Sequence, residues 1–324
     1  SGLKGVAKLN ASRWVGEIME FSPAILADAD CIVDAVFGAG LSRNLESVVG
    51  KIIDAADGIP CIAVDIPSGI NGDTGQIMGK AFKAKETVTF FNPKPGHFLF
   101  PGRQHCGSLT VVDIGIPEVV LDEINPKQRR NGPEAWERDY PFPDPGDHKY
   151  SRGQAVVVGG SEMTGAARLA VNGAMRSGAG IVSVAVPTEA AIIYRLSLPS
   201  AIVRPVRDTG SFSEILEEER VTACLVGPGN GINVATREKT LATLRQKLPV
   251  VLDADAISVF EETPELLFDS IQSPCLLTPH EGEFSRLFEF EGDKVSRARE
   301  AAAKSGATIL LKGADTVIAA PNGN

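Results

Sequence analysis

Nowhere in this sequence do two cysteines form a Cys-x-x-Cys pair. The five that occur, Cys31, Cys61, Cys106, Cys224 and Cys275, are scattered and odd in number, which argues against a disulfide framework and against a cysteine zinc site. Most read as buried thiols of a reducing, cytoplasmic compartment. No apolar run approaches the roughly 18 residues of a membrane span, and the first residues lack the charged and apolar regions of a signal peptide. An initial Met is also absent, which suggests a chain that starts inside a longer protein. Short repeats and low-complexity tracts are missing. Basic charge is in deficit, with 32 Lys and Arg against 41 Asp and Glu for a net charge of -9. That balance opposes non-specific association with nucleic acid or an anionic bilayer, so neither is expected as a partner. Small-molecule chemistry fits better.

What is present is ordinary globular material. A chain of 324 residues with 43% apolar and 23% charged composition predicts about two domains with buried cores. Strand-like runs at 31–37, 61–66, 86–91 and 109–114, with a helical stretch near 47–56, read as parallel βα units. Prolines at 117, 126, 133, 141, 143 and 145 then interrupt any helix or central strand. They mark a junction, whose basic cluster Lys127, Arg129 and Arg130 reads as a solvated face. A second series begins at Gln154, with predicted strands at 155–158, 181–186, 223–226, 250–252, 275–277, 308–311 and 317–320. Helices are predicted at 164–177, near 234–247 and at 297–304. The expectation is an α/β chain with parallel sheets covered on both faces, divided as 1–125, a Pro-rich linker at 126–147, and 148–324.

The motifs gather after strands. Thr278-Pro279-His280-Glu281-Gly282-Glu283 and Lys312-Gly313-Ala314-Asp315-Thr316 each follow a short apolar run. Ligands of open α/β sheets sit beyond the strand carboxyl ends, and a Lys-Gly turn suits a phosphate. In the first half, Asp34 lies late in its strand and Gly38-Ala39-Gly40-Leu41-Ser42-Arg43-Asn44 follows. Backbone amides of such a turn can approach a phosphate, and Arg43 can add charge-assisted hydrogen bonds. Asp65 is placed in the strand 61–66, among apolar neighbours that are expected to raise its pKa and suit it to acid-base work. The alternative is that Asp65 merely orders its turn, as Asp73 is expected to do. Lys94 follows the next strand, where a surface turn lysine and a lysine facing the crevice are equally good readings.

The segments 33–41, 64–70 and 72–75 resemble the NAD(P)H-hydrate epimerase domain. The resemblance implies a Rossmann-like domain that interconverts the R and S forms of NADH or NADPH hydrated at carbon 6 of the nicotinamide ring. By that carry-over Gly38, Ala39, Gly40, Leu41, Ser42, Arg43 and Asn44 line the substrate. Asp65 binds it as the catalytic acid/base, and Asp34 with Ser68 holds a potassium ion, for which hard oxygen ligands are suited. Epimerase domains also carry an upstream Asn-Asn-Gly-Gly-Asp-Gly loop, which this sequence begins too late to include.

In the second half, small residues at helical spacing in Gly165-Ala166-Ala167 and around Ala170 read first as close packing on a sheet. Gly227-Pro228-Gly229 is a rigid turn after a strand. Asp253 and Asp255 alternate along the chain, so they could act together near a phosphate or metal, or Asp255 could be a helix cap. His280 is either a satisfied histidine at a helix start or a site residue. The segments 176–180, 227–229, 252–256, 278–283 and 312–316 resemble the NAD(P)H-hydrate dehydratase domain, whose fold is similar to ribokinase. That resemblance implies ADP as co-substrate, with magnesium as a possible companion. Phosphate from ADP activates the ring hydroxyl, whose loss restores NADH or NADPH. Ala166, Gly229 and His280 would contact the hydrated dinucleotide, and Lys312, Gly313, Ala314, Asp315 and Thr316 the adenine nucleotide.

The dehydratase family ends on a Gly-x-Gly-Asp turn whose Asp is the general base. The sequence stops before it, so little dehydratase turnover is expected from this polypeptide alone. The resulting expectation is a bifunctional nicotinamide-cofactor repair enzyme that assembles as a homo-oligomer. A vitamin or sugar kinase on the same fold would leave Asp65 and Ser68 unexplained; a nucleotide-binding module without turnover is the third reading.

Overall fold

The computed structural model describes residues 4–45 and 47–324; residues 1–3 of the predicted first domain lie outside it. The chain divides into two compact units, Ser1–Val120 and Leu121–Asn324.

The first unit is built on four parallel strands, β1 (Ile32–Asp34), β2 (Cys61–Val64), β3 (Glu86–Phe90) and β4 (Ser108–Val112), lying in that order. Alternation buries Cys61 and Ala63 on one face of β2, where Ile52 and Ala56, from the helix Ser47–Ala55 and its end, pack with Phe82 and Ala84. The strands are shorter than their apolar runs. β2 ends at Val64 because Asp65 takes a left-handed backbone, φ 71°, which no strand can continue. β1 ends at Asp34, whose side chain is turned inward to bond Ser68.

The second unit carries eight strands: β5 (Gln154–Val158), β6 (Ile181–Pro187), β7 (Ile202–Val206), β8 (Val221–Val226), β9 (Val250–Leu252), β10 (Cys275–Leu277), β11 (Thr308–Leu311) and β12 (Val317–Ala319). Their order is β12-β11-β10-β9-β8-β5-β6-β7. All neighbours are parallel except β11 and β12. The parallel expectation fails at β12 because residues 312–316 form a connection too short for a crossover, and only an antiparallel return fits. β7 went unpredicted because Pro205 interrupts its pattern; as an edge strand it tolerates a proline. Chain order reverses at β5, which has β6 on one side and β8 on the other. The crevice beyond that pair is the topological switch point, the favoured ligand position in such sheets.

Successive residues of β5 feed opposite layers, Val157 packing under Ala167 and Val171 of the helix Thr164–Arg176, while Val156 and Val158 join the larger core. That larger core includes Ala298, Ala301 and Ala302 of the helix Lys294–Ser305. Their i, i+3, i+4 spacing makes a small-residue face that lies close on the sheet. This helix starts three residues before its predicted bound because Asp293 accepts the amides of Val295 and Ser296, and Gly306 ends it at φ 71°. Replacing the Asp293 cap by Ala is worth about 1 kcal/mol.

Candidate active sites

In the first unit the turns after β1, β2 and β3 converge. Asp65 is held from three sides. Thr89 donates its hydroxyl to Oδ1 at 2.9 Å, Lys94 Nζ reaches the same oxygen at 2.5 Å, and the Ala39 amide donates to Oδ2 at 3.2 Å. Lys94 Nζ also donates to Thr89 Oγ1 at 2.8 Å. The surface-lysine reading of Lys94 is thereby overturned: its side chain is only 25% exposed, against 21% for Asp65. The expected raised pKa of Asp65 is overturned too. Burial pushes the carboxyl upward, but hydrogen bonds from Lys94, Thr89 and Ala39, with the Lys94 charge, outweigh it and hold the group below its ordinary value. The result is an ionised carboxylate next to an ammonium donor, able to accept a proton from a bound substrate and to pass one back.

Two residues of this arrangement escaped the sequence reading. Thr89 occupies a buried position of β3, and a hydroxyl on the inward face of an alternating strand was the available signal. His97 is 3% exposed. Its Nδ1 accepts the Lys94 amide at 3.0 Å, so Nε2 carries the proton and donates to the Asp65 carbonyl at 2.8 Å. Burial lowers its pKa, and the neutral ring ties the Lys94 turn to the left-handed backbone at Asp65. No spacing rule pointed to it.

Asp34 is 1% exposed and Ser68 likewise. The Ser68 amide donates to Asp34 Oδ2 and its hydroxyl to Oδ1, both at 2.6 Å, while Ser68 Oγ accepts the Phe37 amide at 2.9 Å. Burial raises the Asp34 pKa against the opposing hydrogen bonds from Ser68 and the Val36 amide. Three hard oxygens, from Asp34, Ser68 and the Phe37 carbonyl 3.2 Å from Ser68 Oγ, meet here. Their type fits an alkali cation, whereas no cluster of three His, Cys, Asp or Glu suited to a metal occurs among the described residues.

The turn 38–44 is mixed in placement. Gly38 lies close enough to Asp65 that a Cβ there would stand 3.2 Å from Oδ2. Gly40, Ser42, Arg43 and Asn44 are exposed. Leu41 is buried at 8% exposure, and its carbonyl, accepting Asn71 Nδ2 at 3.0 Å, helps to hold the turn with the Leu41 amide bond to the Gly38 carbonyl. Asp73 does not order its own turn; Asn71 does, its side-chain oxygen accepting the amides of Asp73 and Thr74.

In the second unit four turns meet at the carboxyl ends of β8 to β11. Asp253 Oδ1 accepts Thr278 Oγ1 at 2.7 Å and Lys312 Nζ at 2.8 Å. Lys312 and His280 are bridged in parallel, the Lys312 amide donating to the Pro279 carbonyl at 2.8 Å, so the histidine and lysine motifs share one rim as the sequence suggested. His280 takes the helix-start reading and keeps its ring open to solvent. Its Nδ1 caps the helix Glu281–Leu287 by accepting the Glu283 amide, while the ring stays 58% exposed. Asp253 and Asp255 do not act together. β9 ends at Leu252, Ala254 turns at φ 51°, and Asp255 opens a helix with its Oδ2 accepting the Gly231 amide at 2.8 Å.

The glycine turns are required by contact. At Gly227, φ 126°, a Cβ would stand 1.7 Å from the Asp253 carbonyl oxygen; at Gly229, φ 71°, 2.2 Å from that of Met163. Asn230 locks this turn to β5 by donating to the Val158 carbonyl at 2.9 Å. Ala166 is exposed in the first turn of the helix that begins just after Met163. Of residues 312–316, Gly313, Ala314 and Thr316 are exposed, whereas Asp315 is paired with Lys294 and is 11% exposed. Lys294 is the residue that sequence reasoning missed here, although a lysine just after the Asp293 cap was in plain view.

Two family descriptions match the chain: NAD(P)H-hydrate dehydratase over residues 155–324 and YjeF-related protein N-terminus over residues 5–96. The bifunctional NAD(P)H-hydrate repair enzyme Nnr of Thermofilum pendens is 35% identical over 91% of this chain and 58% of its own length. That of Synechocystis is 34% identical over 92% of this chain and 59% of its own. The chain thus spans under two thirds of these relatives. A ribokinase-like superfamily protein from Enterococcus faecalis shares the fold, with a TM-score of 0.53, 24% identity, and coverage of 59% of this chain and 68% of that one. No described helix is long and apolar enough to cross a membrane. With its glycine turns, Asp253, His280 and Lys312 gathered at the ends of a ribokinase-like sheet, the chain belongs to the NAD(P)H-hydrate dehydratase family, joined to a YjeF-related N-terminal unit.

Proposed function

We propose that the chain carries the chemistry of nicotinamide-cofactor repair, with residues 1–125 as epimerase, 126–147 as linker and 148–324 as dehydratase. In the first unit a hydrated NADH or NADPH binds over the turn 38–44, where the exposed residues Gly40, Ser42, Arg43 and Asn44 meet its phosphates. Asp65, kept ionised by Lys94, takes the proton of the carbon 6 hydroxyl while Lys94 gives one to the ring nitrogen as the bond between carbon 6 and that nitrogen opens to an aldehyde. Reversal of both transfers recloses the bond on the other face, so that carbon 6 changes hand. Asp34, Ser68 and the Phe37 carbonyl would hold a potassium ion, which supplies fixed positive charge near the dinucleotide.

In the second unit ADP is the phosphoryl donor. Lys312, with the exposed amides of residues 313, 314 and 316, meets its phosphates. Asp253 would share a nucleotide-bound magnesium ion with the phosphate oxygens, chemistry that suits a hard cation. Ala166, Gly229 and His280 face the hydrated ring. Asp315 serves the same turn from behind through Lys294. Carbon 6 loses the phosphorylated hydroxyl as phosphate and carbon 5 loses a proton to solvent, which restores the dihydronicotinamide of NADH or NADPH and leaves AMP.

The observation that carries the reading is Asp65, left-handed at a strand end and ion-paired to Lys94. The test is the rate at which pure R-NADH hydrate equilibrates with the S form, followed chromatographically. Asp65→Asn should slow the enzyme-dependent rate about 100-fold or more; an unchanged rate in that variant would remove Asp65 from the reaction.

A further inference from the structure

The second unit has a cavity at the opposite end of its sheet from the proposed dinucleotide crevice. It is a half-open cavity of about 520 Å³ at the amino ends of β5, β6 and β7. Its charged lining is Lys149, Arg204, Arg220 and Glu218. Glu218 is engaged by Arg204 at 2.6 Å. Lys149 and Arg220 both stand over the ring of Tyr150, at 4.9 and 4.6 Å from its centroid. Neither has a carboxylate partner among the described residues' ion pairs. Three cations against one carboxylate leave the cavity cationic in a chain whose net charge is -9. Two like charges gathered on one aromatic ring repel each other, and the ring compensates only in part.

The segment that brings Lys149 and Tyr150 here is fixed in place. Arg152 Nε donates to the Gly178 carbonyl at 2.8 Å, and Tyr140 to the Ser177 carbonyl at 2.6 Å. A Cβ at Gly180 would stand 2.0 Å from the Lys149 carbonyl oxygen. Ser151 closes the preceding turn by donating to Asp147 and accepting the His148 amide. A cation pair preassembled by this much local structure is suited to an incoming oxyanion, which would satisfy both donors at low ordering cost.

We propose that this cavity is a second ligand site, separate from the dinucleotide crevice, that takes a small polyvalent oxyanion through Lys149 and Arg220. Phosphate and carboxylate share that chemistry, so the test has two arms. Isothermal titration of the chain with pyrophosphate and, separately, with tricarballylate is expected to give saturable binding in at least one arm, and the stronger arm names the ligand class. Lys149→Gln and Arg220→Gln should each weaken that binding about tenfold. Lys149 is exposed, so its variant folds irrespective of any effect at Arg220. Lys312→Ala separates this site from the crevice and should leave the affected binding event in place. Absence of binding in both arms, or binding that neither cavity variant weakens, overturns the proposal.

Discussion

Lys294 Nζ lies 2.8 Å from Asp315 Oδ1, and both side chains are almost closed to solvent, at 12% and 11% exposure. The same ammonium reaches the Asp315 carbonyl at 2.5 Å and the Lys312 carbonyl at 3.4 Å. One lysine at a helix start therefore fixes the turn that presents Lys312. Lys294→Met keeps the stem and removes the donors that the Asp315 carboxylate and the Asp315 and Lys312 carbonyls accept. The expected loss is about 2 kcal/mol in denaturant unfolding, together with weaker nucleotide binding. A variant of full stability would show that the pair does not hold the turn.

If the first unit epimerises as proposed, the acid side of its rate profile follows from Asp65. Its folded pKa lies below the ordinary value, so the carboxylate form, and the stability it contributes, persists above the unfolded pKa and is lost as pH falls through the folded one. The rate should stay level from about pH 8 down to about pH 5, since an ordinary aspartate titrates near 4. Lys94→Met removes the cation while burial remains, so the pKa moves up and an acid limb should appear at higher pH than in the parent. A parent profile that falls between about pH 7 and 6 would contradict the assignment.

Gly227 separates β8 from the Asp253 turn at φ 126°, with the Asp253 carbonyl oxygen 1.7 Å from where a Cβ would stand. Gly227→Ala meets both backbone strain and a backbone clash, and about 3 kcal/mol or more of stability should be lost. Thermal unfolding measures it; a shift of a degree or less would mean that the turn gives way freely.

Four of the five thiols are buried. Burial pushes Cys224 and Cys275 up to about 12, and Cys61 and Cys106 up to about 11. Cys31 is exposed. Alkylation of the folded chain at neutral pH should label Cys31 first and alone, with the other four reacting after denaturation. Mass spectrometry of the labelled protein reads this directly, and early labelling of Cys224 would contradict the packing of β8.

Much of this fold was legible because apolar runs, glycine turns and caps agreed with one another. β5, β9, β10 and β11 fell where short β-branched and leucine runs stood between turn residues. β7 was missed because Pro205 reads as a breaker unless its edge position is known; the strand β12 was expected, but its antiparallel direction was not, because direction depends on connection length. The meeting of His280 with Lys312 could be anticipated from strand ends. The fate of Asp65 could not. Its pKa turns on Lys94 and Thr89, which lie 29 and 24 residues away in sequence, and distance along the chain conceals which of burial and ion pairing prevails. Asp253 and Asp255 misled for the opposite reason: alternation along a strand suggested one face, but the strand ends at Leu252 and Ala254 turns at φ 51° between them.

The most direct test of the account is isothermal titration of the chain with ADP and magnesium, set beside Lys312→Ala. Lys312 is 39% exposed, so the variant should fold with little change in stability. The account predicts saturable binding of one ADP in the second unit, weakened about tenfold or more in the variant. Binding of equal strength in both proteins would contradict it.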